Sequence, residues 1–331
     1  MQKRAIALFS GGLDSILAAK LIMDQGIDVL GINFVTEFSS SDVEDFKKKV
    51  IEAAGQIDLK LKTVNISSEF LKLLENPRYG FGANINPCID CKIFMLIKAK
   101  QMMEGLKASF IITGEVLGER PMSQRRDALN AIEKRSGLRG YLLRPLTAKH
   151  MLPTVPENEN IVNRDMLLDI SGRSRKIQLD LAEKYGVKKY FTPAGGCLLT
   201  DPGFTKKLKD IIAHKTYDLE NIRLLKYGRH FRLNGKTKFV LGRDNLDNKN
   251  VMKQKKDGDF IIEPKGYSGP VGMLRGEASL ENLNMAAGIL VSYTKRRNEK
   301  NIPVRYWQRR DKKEILIVNP IRTKEKDAKR I

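Results

Sequence analysis

Ala5-Ile6-Ala7-Leu8-Phe9-Ser10-Gly11-Gly12-Leu13-Asp14-Ser15 is the stretch that decides the fold of this chain. Five apolar residues read as a buried strand, the glycine pair as a tight turn, and Ser15 to Asp24 as a helix. In that helix Ile16, Leu17, Ala19, Lys20 and Met23 recur at a period near 3.6, and Gly26 is the natural stop. A strand, a glycine turn and a helix N-terminus together make a seat for an anion. The glycines let backbone N–H groups turn inward, Ser10 and Ser15 offer hydroxyls, and the first helical turn adds partial positive charge. Phosphate is the expected guest. The bland alternative is a Gly-rich turn with Asp14 and Ser15 as helix caps, and the strand–loop–helix order argues against it.

The alternation continues along the chain. Arg4 to Phe9, Val29 to Phe34, Leu61 to Asn65 and Phe110 to Thr113 read as strands, with helices near Asp42 to Ala54, Glu69 to Leu74 and Ile93 to Gly105. This predicts an α/β fold with a doubly wound parallel sheet. Ligands of such sheets lie at the carboxyl ends of the strands, where Ser10, Asn33 and Thr113 would meet. Further on, Ser174 to Tyr185 reads as a helix, Pro193 to Gly196 as a turn, and Asp201-Pro202-Gly203 as a break before a basic helix near Phe204 to His214. The expected domains are 1–220 and a smaller basic α+β domain, 221–331.

With 331 residues, 41% of them hydrophobic, the chain has material for two real cores. A net charge of +21 attracts polyanions by releasing their counterions. From Lys226 to Ile331 there are 26 Lys and Arg against 12 Asp and Glu, so two thirds of the excess lies in the last third. Nucleic acid is the leading partner, since no long amphipathic helix suits a membrane surface. The apolar run before the first turn is too short for a signal peptide or a span, so a cytoplasmic location is expected.

The last third reads as short strands (His230 to Leu233, Lys238 to Leu241, Phe260 to Glu263, Ile315 to Val318), one helix from Leu280 to Arg297, and a mobile charged tail from Lys324 to Arg330. The run Arg305-Tyr306-Trp307-Gln308-Arg309-Arg310 is either a solvated edge strand or a strand that stacks one aromatic ring on a base. Arg296-Arg297 and Lys312-Lys313 suit phosphate contacts.

The only cysteines are Cys88, Cys91 and Cys197, an odd number that argues against a disulfide framework. Cys88 and Cys91 precede a helix expected to start near Ile93, and both its N-terminus and Lys92 favour thiolate. Cys197 follows Gly195-Gly196, which permit close backbone approach to a bulky group. Three readings stay open. Zinc would want a fourth ligand, and His150, His214 and His230 stand in no ligand spacing. A [4Fe–4S] cluster on three thiolates would keep one iron free. A cluster-free relay would carry a persulfide on one cysteine and resolve it with another.

No Gly-Lys-Ser/Thr follows the first loop, so it is not a Walker loop. Its Gly-Gly-x-Asp-Ser spacing resembles the PP-loop of ATP pyrophosphatases, which implies that Asp14 helps hold Mg²⁺ beside the phosphates of ATP. Asn33 to Glu37 then becomes the expected adenine and ribose wall. A second signal is Ile111-Ile112-Thr113-Gly114-Glu115-Val116-Leu117-Gly118, followed by Met122-Ser123-Gln124 and by Leu143-Arg144-Pro145-Leu146. In this order, with Cys-x-x-Cys-Lys, these elements resemble the PP-loop domain of tRNA sulfurtransferases of the 4-thiouridine synthetase family over residues 1–200.

That resemblance implies an enzyme: ATP adenylates a uracil carbonyl in tRNA, and sulfur displaces AMP. It implies that Ser10, Gly11, Gly12, Leu13, Asp14 and Ser15 bind phosphates and that Thr113, Gly114, Glu115, Ser123 and Gln124 line the site. It also implies that Cys88, Cys91 and Cys197 hold an iron–sulfur cluster, as in archaeal-type members. Two features depart from the bacterial type. The first strand begins at Arg4 rather than after an N-terminal tRNA-binding region, and no cysteine follows Cys197, so sulfur must come from sulfide or a cysteine desulfurase. The Gly266-Tyr267-Ser268-Gly269-Pro270 turn and the aromatic-basic run resemble NFACT-R-type RNA-binding domains. The expected product is 4-thiouridine. The alternatives are 2-thiolation of uridine or cytidine, an RNA-binding protein with a relic nucleotide site, and a small-molecule adenylating ligase. A homodimer is left open.

Overall fold

Along β1 (Arg4–Leu8), Ala5 and Ala7 turn into one hydrophobic core and Ile6 and Leu8 into another, and all four are buried. Burial on both faces is what a parallel sheet covered by helices on each side requires. The structure, a computed structural model, describes residues 3–40, 42–191 and 197–331. The Pro193 to Gly196 turn expected from sequence lies outside these residues. The chain divides into two compact units, Met1–Thr200 and Asp201–Ile331.

In the first unit β1 leads into α1 (Leu13–Met23), followed by β2 (Asp28–Val35), α2 (Val43–Gly55), β3 (Lys60–Asn65), α3 (Ser67–Glu75) and α4 (Cys88–Met103). Then come β4 (Phe110–Thr113), α5 (Arg126–Ser136), β5 (Leu142–Leu143), α6 (Val155–Asn158) and α7 (Lys176–Lys184). The strands pair in parallel in the order β3-β2-β1-β4-β5. Because the chain runs outward from β1 to β3 and returns to β4 on the other side of β1, the order reverses between β1 and β4. Ligands bind at the carboxyl ends of strands at such a switch point. One core joins the sheet to α1, α2 and α7, and the other joins it to α4 and α5.

Three elements differ from the sequence reading. α1 is buried on nearly every side rather than along one stripe, because α7 closes over it. α4 starts at Cys88, not near Ile93, so both cysteines lie in its first turn. β5 is only two residues long, below what periodicity can resolve.

The second unit opens with α8 (Pro202–Ala213) and α9 (Leu219–Leu225), followed by β6 (Arg229–Asn234), β7 (Thr237–Leu241), α10 (Asn245–Lys253), β8 (Phe260–Pro264) and β9 (Gly272–Gly276). It ends with α11 (Leu280–Ser292), β10 (Ile302–Trp307), β11 (Glu314–Val318) and α12 (Thr323–Ala328). Its sheet runs β11-β10-β8-β9-β7-β6, all antiparallel. α11 fills the core on one face, and α9 and α10 contribute Leu224 and Val251 to the core on the other.

The expected division at 220/221 therefore differs from the division at 200/201. Asp210 on α8 accepts Arg232 guanidinium bonds at 3.0 and 2.5 Å and lies 3.3 Å from the Lys238 ammonium, which ties that helix to β6 and β7. Lys238 is buried, and burial pushes its ammonium down to about 8 despite the Asp210 charge.

The aromatic-basic run also differs from the solvated edge strand considered above. β10 pairs with β8 and β11 and is an inner strand. Trp307 is buried in the core and Tyr306 donates its hydroxyl to Glu314, so Trp307 cannot stack on a base. The expected mobile tail is ordered as well: Arg232 donates its N–H to the Lys329 carbonyl at 2.8 Å and Ile331 donates to His230 at 3.0 Å. The tail thereby covers β6, an edge that would otherwise present unpaired backbone.

Candidate functional site

The turn from β1 into α1 holds itself in shape. Gly11 has φ +77°, a conformation that costs glycine nothing, and a Cβ there would lie 2.8 Å from the Phe191 ring. Phe191 in turn donates its N–H to the Gly11 carbonyl at 3.1 Å. Gly12 is the N-cap of α1 with no side-chain cap, which leaves the helix N-terminus without a protein acceptor of that kind. The serines do not project as free donors. Ser15 Oγ donates to the Gly12 carbonyl at 2.8 Å and accepts from the Ser10 N–H at 3.3 Å, while Ser10 Oγ accepts from the Gly12 N–H at 3.3 Å. They brace the loop from within.

The segment after β4 lies directly on this turn. A Cβ on Gly114 would come within 2.4 Å of the Asp14 carbonyl carbon and oxygen and 2.5 Å of the Ser15 nitrogen, so only glycine fits. Thr113 donates to Glu115 Oε2 at 3.1 Å. Glu115 is 2% exposed and meets Arg144 Nε at 3.1 Å and Lys92 Nζ at 3.9 Å, and Arg144 continues to Glu133 at 3.2 Å. Burial pushes the Glu115 carboxyl up, but Lys92 and Arg144 outweigh it and hold the group below the usual carboxylate range. Ser123 and Gln124 are buried beside this segment, with the Gln124 carbonyl accepting the Gly118 N–H at 2.7 Å. Asn33 is buried too. Its amide nitrogen donates to the Phe9 carbonyl at 2.8 Å, which anchors the end of β1, while its amide oxygen has no hydrogen-bond partner.

Sequence reasoning missed the groups that face Asp14. Arg175 Nη2 lies 3.7 Å from Asp14 Oδ1, and Arg175 Nε lies 3.9 Å from Glu119 Oε1. Burial raises both carboxyls above their ordinary range, Glu119 with the help of the Asp14 charge, while Arg175 and Arg120 oppose the shift. Gln178 sits within reach of Asp14. The only sequence signal for this cluster was the i, i+3 spacing of Arg175 and Gln178 at one helix end.

The three thiols lie within one another's electrostatic reach. Burial first, then the nearby Cys197 and Cys88, push the Cys91 thiol up to about 12 against the pull of Lys92. Cys197 is exposed over its own surface, yet the protein packed around its sulfur and the Cys88 charge push it up to about 11. The thiolate expected from a helix N-terminus and a neighbouring lysine is thus corrected for Cys91: burial dominates, and Lys92 leans toward Glu115. Hydrogen bonds from Leu198 N–H to the Phe38 carbonyl, 2.8 Å, and from Asn84 Nδ2 to the Thr200 carbonyl, 2.9 Å, strap the Cys197 segment beside the α4 entry. The donor type suits a soft metal or cluster. Among the described residues, however, no three His, Cys, Asp or Glu side chains converge as ligands of one ion.

A direct consequence concerns alkylation. At pH 8 a thiol with pKa about 12 is only about 10⁻⁴ ionised, against about a quarter for an ordinary cysteine. A thiolate of higher pKa is the stronger nucleophile, which offsets part of this, so iodoacetamide should label Cys91 on the order of 100-fold more slowly than free cysteine, read by peptide mass spectrometry. Labelling at the free-cysteine rate would contradict the buried, protonated thiol.

Residues 1–152 match the family described as Thiamine biosynthesis protein (ThiI). The chain carries a ThiI-family domain. Residues 228–329, within the second unit, match the family described as NFACT protein RNA binding domain. Among curated proteins, the ThiI-family domain is similar to "Probable tRNA sulfurtransferase" of Methanothermobacter thermautotrophicus, 29% identical over 51% of this chain and 42% of that protein. It is also similar to the tRNA-specific 2-thiouridylase MnmA of Methylobacillus flagellatus, 34% identical over 30% of this chain and 30% of that protein. The chain spans less than half the length of these two relatives. Among solved structures, a 4-thiouridine synthetase–RNA complex with bound ATP aligns with TM-score 0.40 and 18% identity over 67% of this chain and 52% of that one. Among the described residues no helix is long and apolar enough to cross a membrane.

Proposed function

We propose that the protein is an ATP-dependent tRNA sulfurtransferase. It adenylates a uracil carbonyl oxygen, releases pyrophosphate, and replaces that oxygen with sulfur as AMP departs, forming 4-thiouridine. The observation that carries this reading is the concentration, around the first turn of α1, of buried polar atoms that lack a hydrogen-bond partner. Of 13 such side-chain atoms among the described residues, five belong to Asp14, Glu119, Arg175 and Gln178. Buried polar groups without partners are rare in folded proteins unless a ligand completes them.

In this reading the N–H groups of the turn from Ser10 to Ser15 and the uncapped start of α1 bind the phosphates, with Leu13 anchoring the helix in the core. Asp14 holds Mg²⁺ beside them. Thr113, Gly114, Glu115, Ser123 and Gln124 form the opposite wall, and Asn33 fixes the strand end beneath it. A uracil carbonyl is urea-like, and oxide is a poor leaving group. Once adenylated, the oxygen leaves as AMP, and the donors that bound the phosphate stabilise its charge.

Cys88, Cys91 and Cys197 would hold a [4Fe–4S] cluster, which when bound supplies an iron open to a sulfide. The thiol protons must leave as the sulfurs become ligands, and the Cys197 segment must close toward the other pair. Sulfur comes from sulfide or a cysteine desulfurase. The basic NFACT-R domain supplies affinity for tRNA through its phosphates. The likeness to a 2-thiouridylase favours 2-thiolation as the second reading, since the same chemistry acts on either carbonyl.

The test uses the full chain, purified anaerobically and reconstituted with iron and sulfide, then supplied with ATP, sulfide and unmodified tRNA. One thiolated uridine per AMP is expected, and nucleoside mass and absorbance distinguish the 4- from the 2-position. Asp14→Ala should lower AMP formation by ~100-fold or more while leaving tRNA affinity intact. Undiminished AMP formation in that variant rejects the nucleotide assignment, and full thiolation by iron-free protein rejects the cluster.

A further inference from the structure

The turn at 116–119 and the start of α7 are brought together by backbone pairing. Leu117 bridges to Ser171, Gly172 donates its N–H to the Leu117 carbonyl at 2.7 Å, and a Cβ on Gly118 would approach the Gly172 nitrogen at 3.4 Å. This pairing carries Glu119 on one side and Arg175 and Gln178 on the other to the first turn of α1, where Asp14 points. The Asp14 and Glu119 side chains are 17% and 7% exposed, and both face one guanidinium at 3.7 and 3.9 Å, beyond hydrogen-bond distance. Asp14 Oδ1, Glu119 Oε2 and Arg175 Nε lack hydrogen-bond partners. Gln178 is fully buried, and its amide lies within reach of Asp14 without closing to a normal hydrogen bond at either end. A structural ion pair would close to hydrogen-bond contact, because buried charges are otherwise expensive. This one stays at 3.7 and 3.9 Å.

We propose that Asp14 and Glu119 together seat one divalent cation that arrives with the nucleoside triphosphate, and that Arg175 is the resident counter-ion that yields its place when the cation enters. The inference rests on the nucleotide reading above and extends it to residues outside the glycine loop. A hard cation such as Mg²⁺ is bound by one or two carboxylates plus phosphate oxygens and keeps several waters. Two largely buried carboxylates that share one guanidinium, Asp14 in the first turn of α1 and Glu119 in the turn after β4, meet that description. The Gln178 carbonyl can accept from a cation-bound water while its NH₂ faces Asp14. The displaced guanidinium has five N–H donors suited to phosphate oxygens, so one exchange satisfies both partners.

The test is calorimetric titration of ATP into the full chain over a series of Mg²⁺ concentrations, comparing wild type with Glu119→Gln and Glu119→Asp. In Glu119→Gln the Mg²⁺ concentration for half-maximal ATP binding should rise about 10- to 100-fold, with ATP affinity at saturating Mg²⁺ nearly restored. Glu119→Asp should fall between the two. Arg175→Gln, probed with Mn²⁺ alone by electron paramagnetic resonance, should bind Mn²⁺ several-fold more tightly than wild type because the carboxylates lose their competitor. A Glu119→Gln protein whose Mg²⁺ requirement equals that of wild type overturns the cation seat. So does a loss of ATP affinity that no Mg²⁺ concentration repairs, which would mark Glu119 as purely structural. Weaker Mn²⁺ binding by Arg175→Gln overturns the counter-ion role. A wild-type chain that binds no ATP at any Mg²⁺ concentration instead refutes the nucleotide reading itself.

Discussion

Arg144→Met should destabilise the first unit by about 3–5 kcal/mol at pH 7, the usual cost of stranding one partner of a buried ion pair. Arg144 and Glu115 are each only 2% exposed, and Arg144 also meets Glu133 at 3.2 Å and donates to the Leu129 carbonyl at 3.3 Å. In the variant Glu115 keeps only Lys92, at 3.9 Å, and the Thr113 hydroxyl. The loss should depend on pH in a defined direction. The native Glu115 carboxyl is held below its ordinary value, so its ionic contribution is fully present above the unfolded-state pKa and disappears as pH falls through the native one. The gap between wild type and Arg144→Met is therefore widest at neutral pH and narrows toward acid. Adding Glu115→Leu should recover part of the loss, since removing both partners leaves no stranded charge between them. Urea unfolding of the full chain checks all three. A difference under about 1 kcal/mol at pH 7 would place this pair with exposed salt bridges and refute its structural role.

Why some of this was legible in the sequence and some was not follows from where the information sits. β4 was read at its observed limits, Phe110–Thr113, because a short apolar run bounded by Ser109 and Gly114 has sharp local ends. The first turn was legible for the same reason: its conformation depends on adjacent residues. Glu119, Arg175 and Gln178 were invisible because they meet Asp14 only through the pairing of Leu117 with Ser171, a contact that no local spacing encodes. The state of the thiols was misread from proximity in sequence. A neighbouring lysine and a helix start do favour thiolate, but burial of Cys91 outweighs both, and burial is a property of the folded chain.

The second unit repeats the lesson. β9 was missed and β10 was read from Arg305 rather than Ile302, because Gly272 and Gly276 bound the first and Pro303 interrupts the second, and such residues normally mark a strand's end or edge. Pro303 is tolerated near the start of β10, where one missing donor costs little. Trp307, read as a candidate for base stacking, is the largest side chain available to fill the core beside Leu224 and Val251. On the tRNA-binding proposal, phosphate contacts of this domain then fall on its surface cations rather than on that ring.

Gly114→Ala should remove nucleotide binding from a chain that still folds, which makes it the sharpest test of how β4 serves the loop. Its methyl carbon would lie 2.4 Å from the Asp14 carbonyl carbon and oxygen and 2.5 Å from the Ser15 nitrogen. All three are backbone atoms of α1's first turn, so no rotamer change can absorb the clash, and the helix start must move away from the strand end. Overpacking of this kind costs about 1–3 kcal/mol in stability. The functional cost is larger, because displacing a binding group by about 1 Å can cost ~100-fold. ATP affinity and AMP formation should both fall by about that factor. Gly55→Ala, where the added Cβ meets nothing within 4 Å, is the matched control and should leave both unchanged. A folded Gly114→Ala protein with ATP affinity close to that of wild type would mean that the nucleotide does not rest on the junction of β4 with α1. The anion seat formed by Gly11, Gly12 and the helix N-terminus would then have to serve some other ligand.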